Sequence, residues 1–428
     1  MLSFEATKEK TYSDLWTVKC GKKRLLKMIL LYGQNGSGKT TILSVFFILK
    51  MLLTQPPLKT LRGHVVPFDF DNDSKDKPSE FEIAFYINNI KYIYKISLYP
   101  NYIKSEELLF YPQKASALLY RRNYDPESEI SSISFGKSVD LSKAEKRILE
   151  KDVVKTTTVL AVYANKNIIC NAFKIVLSYF QNNLFGPLDG ALRRTDTVQL
   201  YNDLELQGLA RRMFKYLTPS NISQIKVTIN RRPLPEDYKN YIRNSTLPEI
   251  EKAKILEKEF FEDQKRILSH LTPNGEFDLS EDMQSEGTIM FLDYLALFYL
   301  ITKGNYFAWC DEFGEGLHAY LMEALIEFFL RSSSHSQLLV ATHNVSLLEY
   351  DKLRHDAVQI IEKNNYGETS IEVDSVRRIH KNVSLAKAYA KGLLFGIPPK
   401  HLSQEIMNDM EFWNALLKPL KERREGKT

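Results

Sequence analysis

The stretch Gly33-Gln34-Asn35-Gly36-Ser37-Gly38-Lys39-Thr40-Thr41 constrains this chain more than any other. It carries the pattern G-x-x-x-x-G-K-[ST] at every required position. The apolar run Met28 to Tyr32 before it is long enough for a buried strand, and Ile42, Leu43, Val45, Phe46, Phe47 and Leu49 after it read as a helix packed on two faces. Strand, glycine loop and helix together turn the pattern into a site. Gly33, Gly36 and Gly38 permit backbone angles and close approaches that a Cβ blocks. Their N–H groups and the helix N-terminus then face an anion. Lys39 is placed to reach β- and γ-phosphates, and Thr40 to offer a hydroxyl to Mg²⁺. The stretch therefore implies a nucleoside-triphosphate site.

A chain of 428 residues has room for two or three average domains, or for one large domain carrying an insertion. Its most apolar stretches, Ile42 to Leu53 and Ile289 to Ile301, are too short to span a bilayer and carry Lys50 and Asp293. The N-terminus is polar and charged, unlike a secretory signal. Cys20, Cys170 and Cys310 stand far apart, with no metal or redox spacing. A cytoplasmic protein with no membrane partner is the expectation. The net charge of +5 is small for this length, but its placement is uneven. Between Gly190 and Arg232, eight basic residues (Arg193, Arg194, Arg211, Arg212, Lys215, Lys226, Arg231, Arg232) face three acids, Asp196, Asp203 and Glu205. That segment is either a solvated face or a patch for nucleic acid or an acidic partner.

Read in order, Leu15, Trp16 and Val18 predict an edge strand, and Leu25-Leu26 leads into the central one. A Pro- and Asp-rich connection, Pro56 to Pro78, comes after the first helix. The alternation of Phe81, Ile83, Phe85 and Ile87, the Asn88-Asn89 turn and the return strand Ile90 to Leu98 open a β-meander, which Leu108 to Tyr111 and Leu118 to Arg121 continue. From Lys143 the period is helical through Asn183, and Leu204 to Leu217 is a further helix. Ile222 to Ile229 alternates like a strand, and Glu249 to Leu268 reads as a charged amphipathic helix with Glu251/Lys254 outside. The chain thus divides into an N-terminal lobe (residues 1–122), a mainly helical insertion (123–270) and a C-terminal lobe (271–428). The fold class is α/β.

The C-terminal lobe supplies the rest of a nucleotide site. Tyr306 to Cys310 is an apolar strand ending in Asp311-Glu312. At the end of a strand beside the phosphate-loop strand, Asp311 belongs in the Mg²⁺ shell and Glu312 accepts a proton from attacking water. Ser285-Glu286-Gly287-Thr288 opens the apolar helix Ile289 to Ile301, a further anion-binding end. Gln337 to Ala341 is a strand that leads into Thr342-His343, and His343 is placed to hydrogen-bond the γ-phosphate.

The order phosphate loop, S-x-G, apolar-Asp-Glu, Thr-His resembles the P-loop NTPases of ABC-ATPase type, a group that includes SMC and RecF-like heads. The resemblance implies ATP as the nucleotide and a dimer of heads. Ser285, Glu286, Gly287 and Thr288 would act in trans on the partner's ATP, with Glu312 as catalytic base and His343 as switch histidine. Glu315-Gly316-Leu317-His318 stands at the group's dimer-seam loop. The segments Pro67-Phe68, Asp76 to Ile83, Ser105 to Pro112, Asp278 to Thr288 and Asp311 to His318, with Ala386 to Gly392 and Gly396-Ile397-Pro398, are similar to bacterial AAA family ATPases of the RloA-like and AriA-like kind. Those belong to abortive-infection and anti-phage systems and pair with a separate effector, a nuclease or toxin. The alternative reading is a DNA-maintenance ATPase of RecF or SMC type, which the basic segment favours and the lack of a long heptad arm opposes.

Overall fold

The computed structural model describes residues 1–56, 60–186, 194–219, 221–245, 249–258, 260–372, 376, 379, 383–391, 393 and 394. In chain order the described strands are β1 (Thr17–Cys20), β2 (Lys23–Leu26), β3 (Met28–Gly33), β4 (Ser79–Ile87), β5 (Ile90–Tyr99), β6 (Tyr102–Tyr111), β7 (Ala117–Asp125) and β8 (Ile130–Phe135). They continue as β9 (Leu184–Phe185), β10 (Ile222–Pro233), β11 (Phe260–Thr272), β12 (Gly275–Ser280), β13 (Phe307–Cys310), β14 (Gln337–Ala341), β15 (Val358–Lys363) and β16 (Thr369–Glu372). Two compact units divide the chain. One is Met1–Pro187 with Asn305–Phe313 and Ser334–Thr428; the other is Leu188–Gly304 with Gly314–Ser333.

The first unit is built on a six-stranded sheet of order β16-β15-β3-β14-β13-β9, parallel except for the edge strand β16. All six residues of β3 are buried, the both-faced burial of a central parallel strand. The helix Lys39–Thr54 comes next and buries Leu43, Leu49, Leu52 and Leu53. Phe47 is half exposed, so the second face of that helix is only partly packed. The meander forms a second sheet, β4 to β8 in sequence order and antiparallel throughout. Asn88 and Asn89, with φ of 51° and 64°, make its first turn, a two-residue hairpin with both central residues left-handed. Trp16 is buried in a short helix, Ser13–Trp16, and among the described residues β1 pairs only with β2. The expected edge strand is therefore part of a separate two-stranded sheet.

Two polar contacts join these layers. Thr158 Oγ1 donates to Leu52 O at the end of the helix Lys39–Thr54 (2.8 Å). The buried carboxylate of Glu106, in β6, accepts the N–H of Val159 at 2.8 Å, at the start of the helix Val159–Ala164. Burial pushes the Glu106 carboxyl pKa up, against the pull of the buried Arg122.

The second unit sets the helices Leu204–Leu217, Glu286–Thr302 and Ala319–Ser332 with a three-stranded antiparallel sheet, β10-β11-β12. Here the expected helix Glu249–Leu268 is corrected. The helix ends at Leu256, and Phe260 onward is strand, paired residue by residue with β10. The inward positions of β11 hold Arg266, Leu268 and, next along that face, His270, so charge and imidazole stand where alternation calls for apolar side chains. The 123–270 span is accordingly less helical than expected. The units also cut the chain elsewhere than at 122/123 and 270/271, since β8 completes the meander sheet.

The basic segment is partly neutralised by acids outside it: Lys226 pairs with Asp278 (3.0 Å) and Arg231 pairs with Glu262 (2.9 Å). Arg193 lies outside the described residues, as do Gly392, Gly396-Ile397-Pro398 and the amphipathic stretch Ile406 to Leu417. Among the described residues no helix is long and apolar enough to cross a membrane.

Candidate nucleotide site

At the C-terminal end of β3 the chain turns through the glycine loop. Gly36 and Gly38 have φ of 77° and 102°, a region that other residues enter at a cost. Gly33 is needed for space instead. A Cβ there would lie 2.6 Å from Ser37 Oγ and 2.7 Å from Ile361 O of β15. Gln34, Asn35 and Gly36 are exposed, whereas Ser37 and Lys39 are buried. Ser37 Oγ has no hydrogen-bond partner among the described residues, although it is buried. Lys39 Nζ donates to the loop's own carbonyls, Gly33 O at 2.8 Å and Gln34 O at 3.0 Å. Burial lowers the Lys39 pKa, and the carboxylates of Asp311 and Glu312 partly offset that effect.

Asp311 reaches this loop from β13. The expected place of this strand, directly beside β3, is corrected: β14 lies between them. Even so, Thr40 Oγ1 donates to Asp311 Oδ2 at 2.5 Å. A hydroxyl and a carboxylate at one point are hard oxygen donors of the kind Mg²⁺ accepts. With an open run of backbone at Gly36, an orphaned buried hydroxyl at Ser37 and a buried ammonium, the residues fit a Mg²⁺-bound triphosphate.

Glu312 is exposed and left-handed, with φ of 50°. Its conformation is set by the anchoring of its neighbour. Phe313 N donates to Ala341 O at 3.0 Å, and Thr342 Oγ1 donates to Phe313 O at 2.9 Å. The turn after β13 is thus stitched to the end of β14. That end is tied in turn to β3, through Thr342 N to Leu31 O (3.1 Å) and Tyr32 Oη to Asn344 O (2.9 Å). His343 is exposed between these anchored neighbours, two residues past the end of β14.

Ser285, Glu286, Gly287 and Thr288 lie in the other compact unit. Ser285 caps the helix Glu286–Thr302, accepting from Thr288 N at 3.2 Å, with the Thr288 hydroxyl 2.8 Å away. Gly287 faces the loop after β13, where a Cβ would stand 3.3 Å from Gly316 O. The turn before the cap is held from β11. Buried Arg266 donates from Nε to Glu281 Oε2 (2.8 Å), its Nη1 lies 2.8 Å from Asp293 Oδ1, and His270 Nε2 meets Gln284 Nε2 at 3.1 Å. Sequence reasoning missed Arg266 and, on the phosphate loop, Thr369, whose Oγ1 donates to Ser37 O at 2.9 Å. The one sequence signal for Thr369 is the Asn364-Asn365-Tyr366-Gly367 turn after an apolar strand.

The family described as "AAA domain, putative AbiEii toxin, Type IV TA system" matches residues 28–349, from the start of β3 to just past His343. The chain belongs to this family. No curated protein matches the sequence. Among solved structures it is similar, at 13% identity, to an SMC head bound to the C-winged helix domain of ScpA, over 86% of this chain and 95% of that chain, with a TM-score of 0.37. It is also similar to the SMC head domain from Thermotoga maritima (13% identity, 84% and 95%, TM-score 0.38). A third is the Smc head domain with an extended coiled coil bound to the C-terminal domain of ScpA derived from Pyrococcus furiosus (13% identity, 87% and 96%, TM-score 0.33). At these scores the likeness decides neither activity nor partner. The α/β architecture, with a phosphate loop at the end of a central parallel strand, is that of a P-loop ATPase domain.

Proposed function

We propose that the chain is the ATPase component of an abortive-infection type anti-phage system, binding ATP with Mg²⁺ and controlling a separate effector, a nuclease or toxin. The observation that carries the ATP reading is the 2.5 Å contact of Thr40 with Asp311, made by residues 271 positions apart in the chain. The family's description, which names a toxin of a toxin–antitoxin system, supports the defence setting. In this reading the loop from Gly33 to Gly38 cradles phosphates with its N–H groups, and Lys39 exchanges two backbone carbonyls for phosphate oxygens. Thr40 and Asp311 hold Mg²⁺, which when bound offsets negative charge on the phosphates. Glu312 takes a proton from the attacking water, and His343 orients it. Ser285, Glu286, Gly287 and Thr288 close on the nucleotide of a second copy, so that two chains complete each site.

Such a dimer is a switch only if ATP prefers the closed state, because a ligand with equal affinity for both states shifts nothing. The test is the mass of the Glu312→Gln variant in solution, with and without Mg·ATP. Dimer formed only with ATP supports the reading. A variant that stays monomeric at saturating ATP removes the composite site. Ser285→Arg is expected to abolish hydrolysis while ATP binding by the monomer persists, and unchanged turnover would count against trans action. For the DNA-maintenance alternative, two of the eight basic residues that favour it, Lys226 and Arg231, are each paired with an acid.

A further inference from the structure

Thr369 sits on the edge strand β16, across the hairpin from Lys363 of β15. The hairpin is firmly built. The Asn364 side chain accepts the N–H groups of Tyr366 and Glu368, both at 2.9 Å, and Asn364 N donates to Glu368 O at 2.9 Å. β15 runs parallel to β3 with Ile361 opposite Gly33, so the hairpin is carried against the base of the phosphate loop. From it Thr369 makes two contacts. Its Oγ1 donates to Ser37 O at 2.9 Å. Its side chain also covers Gly38, where a Cβ would meet Oγ1 at 2.9 Å and Cγ2 at 3.2 Å.

We propose that Thr369 is a positioning residue for the phosphate loop, setting the direction in which the Gly38 N–H faces the bound phosphates. The physical argument is the planarity of one peptide unit. In a trans peptide the C=O of Ser37 and the N–H of Gly38 lie in one plane and point in opposite directions. Holding the carbonyl against Thr369 directs the N–H away from the hairpin. Without that bond Gly38, at φ of 102°, has the freedom of any glycine to turn the plane over. The loop would then spend part of its time with one donor averted, and ligand affinity would fall by the fraction averted. The role rests on the ATP reading above for its ligand, but the loop geometry it explains does not.

The experiment compares wild type with Thr369→Val, which keeps the methyl contact and removes the hydroxyl, and with Thr369→Ser, which keeps the hydroxyl. Mg·ATP is titrated by calorimetry, hydrolysis is measured at steady state, and the NMR order parameter of the Gly38 amide is measured in nucleotide-free protein. The valine variant is expected to bind Mg·ATP about fivefold more weakly, the loss of one neutral hydrogen bond. KM should rise by the same factor with kcat unchanged, the pattern of lost uniform binding. The Gly38 order parameter should fall without nucleotide, and the serine variant should restore wild-type values in all three. Equal Gly38 order parameters in wild type and the valine variant overturn the proposal. So does an affinity loss that serine fails to restore, or a valine variant too unstable to titrate. If wild type binds no nucleotide yet the valine variant still lowers the Gly38 order parameter, the ATP reading fails and the loop-positioning role of Thr369 stands.

Discussion

Replacing Arg266 by Met is the perturbation that most sharply tests how the Ser285 turn is held. The guanidinium is fully buried, with Glu281 Oε2 2.8 Å from Nε and Asp293 Oδ1 2.8 Å from Nη1, and its carbon lies 5.5 Å from the Tyr201 ring centre. Burial alone would lower the Arg266 pKa, but Asp293, Tyr201 and Glu281 together hold it above the usual value, so the cation persists. Asp293 is partly open to solvent and keeps the Thr197 hydroxyl at 2.7 Å, so it tolerates the loss. Glu281 is 4% exposed and would lose the buried guanidinium that it faces. Breaking a buried pair from one side costs about 3–5 kcal/mol, whereas replacing both partners by apolar groups is close to neutral. Arg266→Met is therefore expected to lose about 3–5 kcal/mol. The double variant Arg266→Met, Glu281→Met should recover most of that. Urea unfolding, monitored by far-UV circular dichroism, reads the difference. A single variant that loses under about 1 kcal/mol, or a double variant as unstable as the single, refutes the bracket. In the double variant ATP binding should persist while hydrolysis falls, because the turn before Ser285 no longer has its ionic tie.

Two further outcomes rest on the geometry. Asp356 pairs with buried Arg354 (2.7 Å) and accepts the Thr7 N–H and hydroxyl at 2.8 and 2.7 Å, tying the N-terminal segment to the region after His343. Burial alone would raise its pKa, but the Arg354 and Thr7 bonds hold it below the usual carboxylate value. A depressed folded pKa means stabilisation that is complete above the unfolded value, about pH 4, and lost as pH falls through the folded one. Asp356→Asn should flatten that acid limb of a pH–stability curve; an unaltered limb excludes Asp356 as its source. Glu312, exposed at φ of 50°, carries a left-handed penalty of about 1 kcal/mol that glycine escapes. Glu312→Gly should therefore lose hydrolysis without losing thermal stability, and a lowered melting temperature would show that the turn is not strained.

What the sequence made legible was local. The loop Gly33 to Thr41, the strands ending at Cys310 and Ala341, the Asn88-Asn89 turn and the capped helix after Ser285 each declare themselves within a few residues. What stayed hidden depends on partners far along the chain. β14 lies between β3 and β13, an order that no local period encodes. β11 hid its alternation because Arg266 fills an inward position, and that substitution makes sense only once Glu281 and Asp293 arrive opposite it. The surplus charge of the 190–232 segment shrank for the same reason, since Asp278 and Glu262 come from β12 and β11. Thr369 lies 332 positions beyond Ser37.

The central claim is that the loop from Gly33 to Thr41 is a Mg·ATP site, and equilibrium titration of Mg·ATP against wild type and Lys39→Ala tests it most directly. Lys39 is the buried cation of the loop, 6% exposed and held by two of its carbonyls. Removing it subtracts a charge-assisted contact, each such bond contributing roughly 1.5–3 kcal/mol, or about 10- to 150-fold in affinity. One ATP bound per wild-type chain, with affinity lost to at least that extent in Lys39→Ala, is the predicted result. Equal affinity in the two proteins would contradict the assignment of the site.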